Sequence, residues 1–353
     1  MNITFLIGNG FDLGLGMKSS FMDFLPLFQL DYKKRHSELS GLAKETFENQ
    51  SEWSYFESQL GKYTEKFDLN GIDEFKNQIN EFQIEFANYL NDQENQLDFN
   101  NNDIIRNQLI SGLKDFYLEK NFAIASSKEL EKVVKNHSNE SIIYNFISFN
   151  YTDCLEKCLK TIPDNIVMKR NYKGNQIIDK IGSVVHVHGF KDSNPIMGVN
   201  DESQIANKEL ASNQRFKKYI IKPIQNKIIR MNYDISATDL IDKSEIICVY
   251  GMSIGPTDKL WWKKLINWLG SSPSRQLALF LYNKDYNSSS VYNYMDIEDE
   301  LIDKLSSYSD RKTVDSLQPR IHIAIHKNIF AMDLRKNKTD MVEEYRKHLE
   351  GDD

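Results

Sequence analysis

Three near-continuous apolar runs, Ile3–Ile7, Ile142–Phe149 and Ile246–Tyr250, constrain this chain more than anything else in it. A strand with one wet face alternates polar and apolar residues, whereas a strand that is apolar throughout must be covered on both faces, as parallel strands are. Each run stops in glycine, asparagine or another strand breaker, and long stretches with apolar residues at helical spacing lie between them. Shorter runs at Val184–Val187 and Gln276–Tyr282, with a sixth at Ile321–Ile325, extend the same series. The pattern predicts an α/β fold on a parallel sheet, and 353 residues accommodate a single large domain, residues 1–353, elaborated by insertions.

The spacing of the runs locates those insertions. Residues 8–141 separate the first two, far more than the ~12 residues a simple crossover needs. Within that gap Ser54–Tyr63, Glu74–Leu90 and Ile104–Glu119 carry helical spacing, and Phe75, Ile79, Phe82, Phe86 and Leu90 share one helix face. Residues 20–140 are therefore read as a helical insertion, interrupted by the polar connection Asn95–Asn102. A second insertion is read over 202–240, on the stripe Phe216, Ile220, Ile224, Ile228 and Met231. Met341, Tyr345 and Leu349 at i, i+4, i+8 predict a C-terminal helix over 339–350.

Composition removes several classes. Forty-four basic against 51 acidic residues leave a net charge of −7, which argues against a bulk electrostatic nucleic-acid binder, and 40% hydrophobic content is that of a globular chain. Cys154, Cys158 and Cys248 form no C-x-x-C pair and no even-numbered framework, so a disulfide scaffold or four-cysteine zinc ribbon is not expected. Cys154 and Cys158 read as packing residues. The opening MNITFLIGNGFD reads as a strand and turn rather than a signal peptide, and no run reaches the ~18 apolar residues of a spanning helix. The expectation is a cytoplasmic protein with no membrane partner.

Four strand ends carry the chemistry. In Ile7-Gly8-Asn9-Gly10-Phe11-Asp12 two glycines after a buried strand let backbone amides approach a phosphate; the alternative is a plain glycine turn with Asp12 capping the next helix. The third glycine of the dinucleotide fingerprint is missing, since Leu13 stands in its place. Ser148-Phe149-Asn150-Tyr151-Thr152-Asp153 sets an amide at a strand's carboxyl end, where Asn150 can orient a hydroxyl without titrating, unless the segment is an Asx turn capped by Thr152 or Asp153. Val185-His186-Val187-His188-Gly189 offers His188 as a general base at a strand end, with His186 as a satisfied structural histidine; the alternation sends both to one side, yet no third ligand argues for a metal. Tyr250-Gly251-Met252-Ser253-Ile254-Gly255-Pro256-Thr257-Asp258 reads either as a second nucleotide-facing loop or as a turn whose Asp258 caps the helix burying Trp261, Leu265 and Trp268.

Taken in order, G-N-G-F-D, F-N-Y-T, H-G and Y-G-x-S-x-G-x-x-D resemble the AbiH family of bacteriophage abortive-infection proteins, which in turn resemble sirtuin-like NAD-binding domains. In the insertions only Glu52-Trp53 and Phe56-Glu57 share the likeness. The resemblance implies a Rossmann-like, sirtuin-like parallel sheet with large helical insertions and a role in antiphage defence. It matches Gly8, Asn9, Gly10, Phe11 and Asp12 to the nucleotide loop, and Asn150 and His188, with Gly189 after it, to the catalytic asparagine and histidine. Gly251, Ser253 and Asp258 match the loop closing over the adenosine-side ribose. The sirtuin deacetylases' zinc ribbon is absent, and Tyr151-Thr152 follow Asn150 where those enzymes have Ile-Asp, which sets acyl-lysine removal aside.

The implied chemistry is NAD consumption, with NAD as substrate, no metal, pyrophosphate on the Gly8–Gly10 backbone, Asn150 orienting a water or ribose hydroxyl and His188 taking its proton. Unrestrained NAD loss is toxic, so the resemblance implies an enzyme held silent until infection, with the helical insertions as gates or assembly surfaces and a second copy of the chain or a phage-derived trigger as partner. Two other readings use the same residues. One is a nucleotide sensor that binds without hydrolysis. The other is a nucleic-acid-acting toxin using Arg215, Lys217, Lys218, Lys222, Lys227 and Arg230, a stripe that also reads as the solvated face of an amphipathic helix.

Overall fold

The computed structural model describes residues 1–36, 41–49, 56–193 and 195–336. Glu52 and Trp53, and the helix expected over 339–350, lie outside the described residues. The architecture is mixed α/β on a seven-stranded sheet. Its strands are β1 (Asn2–Ile7), β2 (Ile143–Ser148), β3 (Ile166–Tyr172), β4 (Asn175–His186), β5 (Ile246–Tyr250), β6 (Gln276–Leu281) and β7 (Ile321–Ile325), in the order β3-β4-β2-β1-β5-β6-β7. All neighbours are parallel except β3 and β4.

The apolar runs are continuous because both faces are covered. Ile3, Phe5 and Ile7 of β1 join one buried cluster, together with Phe24, Phe82 and Leu113 from the first insertion. Leu6 joins the other, with Trp262, Leu265 and Leu301. The first insertion comprises α2 (Phe21–Arg35), α3 (Gly41–Glu48), α4 (Phe56–Tyr63), α5 (Ile72–Glu94), α6 (Asn102–Asp115) and α7 (Ile124–Asn136), following the one-turn α1 (Gly10–Gly14). Phe75, Ile79, Phe82, Phe86 and Leu90 are all buried on α5, as their spacing predicts, and Phe82 stacks on Phe56 of α4 at 4.3 Å.

Two expectations change. Val184–His186 is only the end of a longer β4, with Val187 just past it, and β4 folds back on β3 through Lys173 and Gly174, both at positive φ (49° and 87°) as a two-residue hairpin turn requires. The hairpin is polar because β3 is a sheet edge with one face wet. The stripe Phe216–Met231 is not one helix either, since the segment breaks into α9 (Lys208–Ser212), α10 (Gln214–Ile220), α11 (Lys222–Ile229) and α12 (Tyr233–Asp242). Ile221 is extended at ψ 110° between α10 and α11, and Arg230 and Asn232 turn left-handed, so Phe216 and Ile220 are buried while Ile228 and Met231 are exposed. The basic stripe is broken with it. Beyond β2 lies α8 (Cys154–Leu159), and beyond β5 lie α13 (Lys259–Gly270), α14 (Val291–Ser306) and α15 (Arg311–Leu317). None of the described helices is long and apolar enough to cross a membrane.

Candidate active site

Register brings the four motifs to one line. Ile7 pairs with Ser148 and with Tyr250, and Ser148 pairs with His186, so β4, β2, β1 and β5 end side by side at the same height. The chain crosses from β4 over β1 to β5, and the segments leaving β1 and β5 go to opposite faces, since Phe11 packs in one cluster and Trp262 in the other. Such a switch point is where open α/β sheets bind ligands.

The two glycine turns meet there backbone to backbone. A Cβ on Gly8 would stand 2.6 Å from Gly251 O and one on Gly10 2.5 Å from Gly251 Cα, while Gly251 has φ +67°. Gly8 N donates to Tyr250 O at 2.9 Å, Gly10 N to Gly251 O at 2.8 Å and Phe11 N to Gly8 O at 3.0 Å. These three amides are used within and between the two turns. Asn9 makes no side-chain cap; its Oδ1 accepts from Ser19. Asp12 is no cap either, for it is buried inside α1 and its Oδ2 accepts from Thr152 Oγ1 at 2.6 Å, leaving Oδ1 unpartnered. Burial pushes its carboxyl up to about 7 against the hydrogen bonds from Thr152 and Asn150.

Asn150 is buried with Nδ2 donating to Gly8 O at 3.2 Å, which ties the end of β2 to the β1 turn. His186 fixes it from behind, its Nδ1 donating to Asn150 O at 3.0 Å and its Nε2 facing Glu156 Oε1 at 2.5 Å. That is the structural role expected of His186. Because β4 ends at His186, His188 lies beyond the strand and turns to a different set of neighbours: Phe149 and Tyr151 at ring distances of 5.6 and 6.0 Å, and Asp258 Oδ1 at 3.8 Å from Nε2. Gly189, at φ +68°, makes the sharp turn after it. Asp258 stands at the start of α13 without making a cap bond, and Ser253 is exposed at the rim. Neither Thr152 nor Asp153 caps α8: the first bonds Asp12, and the second faces Lys157 at 3.2 Å and Lys191 at 3.5 Å.

Two residues that the motif reading left outside the site complete it. Lys222 of α11 donates from Nζ to Glu57 Oε2 of α4 at 2.8 Å and to Thr257 O at 3.1 Å, and stands 4.0 Å from Asp258 Oδ1. Burial, then the Lys222 charge, lower the His188 imidazole below its ordinary value, so it is neutral near pH 7. Burial raises Asp258, but the neighbouring His188 imidazole and the Lys222 charge outweigh it and hold the carboxyl low. Burial pushes Glu57 up to about 7, with Lys222 opposing and Asp258 adding to the rise. His188 Nδ1 and Asp258 Oδ1 are buried without a hydrogen-bond partner.

A comparison with protein families matches residues 4–282 to the one described as bacteriophage abortive infection AbiH. The chain belongs to the AbiH family. The matched span runs from β1 through β6 and holds all four strand-end motifs as well as Glu57 and Lys222; β7 lies past it. No curated protein matches the chain. Lys222 of this AbiH chain had a signal in its sequence, a basic residue directly before Pro223 where a helix must restart, and Glu57 had one in the Phe56-Glu57 pair. Among the described residues no three of His, Cys, Asp and Glu gather as a metal would require.

Proposed function

We propose that this AbiH protein defends against phage by cleaving the nicotinamide–ribose bond of NAD, on a Rossmann-like, sirtuin-like sheet. The observation that carries the reading is the common register of β1, β2, β4 and β5, which sets Asn150, His188 and Asp258 at one switch point in the order the motifs require. His188 has the two properties a base needs, a neutral imidazole at working pH and a buried Nδ1 with no protein partner. The Asp258 carboxylate, 3.8 Å from Nε2, stabilises by its charge the imidazolium formed when Nδ1 takes a proton.

In the step so described, the bond between ribose C1′ and the pyridinium nitrogen breaks, nicotinamide leaves with the electron pair, and water adds to C1′ while His188 takes its proton. Asn150, locked by Gly8 and His186, orients the water or a ribose hydroxyl. The pyrophosphate is not assigned to the Gly8 and Gly10 amides, which are occupied. Removing the base costs about 10²–10⁴-fold in rate. The test is chromatography of NAD, nicotinamide and ADP-ribose in infected and uninfected cells carrying wild type, Asn150→Ala or His188→Ala. NAD loss only in infected wild-type cells supports the reading; intact NAD in infected, protected cells overturns it.

A further inference from the structure

Lys222 is more than a brace between helices. Its ammonium faces two acids in a buried cluster drawn from five segments: Glu57 from α4 at 2.8 Å and Asp258 before α13 at 4.0 Å, with His188 after β4 at 3.8 Å from Asp258 and Tyr151 after β2 beside the His188 ring. Two carboxylates face one ammonium; His188 is neutral, and Tyr151, held by its bond to Ile196 O at 3.0 Å, is neutral as well. The cage is thus one positive charge short whenever both acids ionise. Asp258 Oδ1 has no hydrogen-bond donor, and the His188 side chain, only 9% exposed, leaves Nδ1 open to the interior. Phe149 and Tyr151 form aromatic walls, the surroundings in which organic cations are held best.

We propose that this cage is a site for a monovalent organic cation, the pyridinium end of an oxidised nicotinamide nucleotide, and that Lys222 stands in for that charge while the site is shut. The inference rests on the NAD reading for the identity of the cation. It goes further in assigning charge recognition to Glu57 and Asp258, so that reduced or uncharged nicotinamide groups are rejected. An entering pyridinium ring takes the carboxylates from Lys222, or completes their neutralisation by displacing the proton that Glu57 holds near neutral pH.

The test uses the full chain with two probes of similar shape, 1-methylnicotinamide, which is permanently charged because its ring nitrogen is methylated, and neutral nicotinamide, by titration calorimetry in two buffers at pH 6.5. The charged probe is expected to bind at least about tenfold tighter, to release protons on binding, and to lose about tenfold in affinity in Glu57→Gln and Asp258→Asn. Glu57→Gln keeps an acceptor for Lys222 and removes a buried charge, so it folds; thermal melts verify this. Lys222→Met is expected to tighten the charged probe. Equal affinity for the two probes, or a charged probe indifferent to Glu57→Gln, overturns the proposal even if NAD is cleaved. Charge-dependent binding with NAD left intact overturns the NAD-cleaving reading and leaves the cation site standing.

Discussion

At the scale of single residues, the unusual feature is a pair of buried carboxyls that fold at the expense of their own ionisation. Asp12 and Glu57 are each pushed up to about 7. A carboxyl whose folded value lies above its unfolded value stabilises the fold fully below the unfolded value, and that contribution is lost as pH rises through the folded one. The window here runs from about 4 to about 7. Urea melts are therefore expected to show stability falling from pH 5 to pH 8, and Asp12→Asn, which keeps an acceptor for Thr152, should reduce that fall by on the order of 2 kcal/mol. A fall of the same size in the variant would mean that Asp12 is ionised throughout. His188 shows the opposite arrangement, a base kept neutral by burial and a neighbouring ammonium, so activity should not rise as pH is raised from 7 to 8, because no base remains to be deprotonated.

At the scale of elements, the glycine turns after β1 and β5 form one structure. With Gly10 packed on Gly251 Cα, a methyl group at either position must push two backbones apart. Gly10→Ala is expected to destabilise by about 2 kcal/mol or more, read as a lowered denaturation midpoint, whereas Gly255→Ala on the same loop, whose added carbon would meet only side-chain atoms at 3.7 Å, should be close to neutral. Equal effects would show that the turns are not in contact. The same elements explain what the sequence could and could not reveal. β1, β2 and β5 were legible because strands covered on both faces must be apolar throughout. The β3–β4 hairpin was not, because an edge strand with a wet face resembles a polar loop until Lys173-Gly174 is recognised as its turn. The motif at Asp258 was legible as a site but not in its role, since its partner His188 lies 70 positions earlier in the chain. Lys222 and Glu57 are 165 residues apart, and the local signals at Lys222-Pro223 and Phe56-Glu57 mark each residue without revealing that the two pair.

At the scale of the whole molecule, the two helical insertions meet over the site. α4 belongs to the first and α11 to the second, and Lys222 joins both to the loop that carries Asp258. His188, Asn150 and Asp12 are buried, so the proposed chemistry requires the insertions to open. The sheet has no reason to move: its strands are paired, apolar and covered on both faces. The insertion helices differ, since α9 to α12 are short, broken by extended or left-handed residues, and expose Ile228, Met231 and Ile235 around the α11–α12 turn. Segments with short helices and fewer buried contacts open at lower free energy than a central sheet. Opening is therefore expected in α4 and α9–α12, with α11 leaving α4 as Lys222 releases Glu57. Amide hydrogen exchange on protein taken from infected and uninfected cells checks this: faster exchange in α4 and α9–α12 with β1, β2 and β5 unchanged is the expected result. Unchanged exchange in those helices, in protein that is cleaving NAD, would show that substrate enters by another route and that the insertions are not the gate.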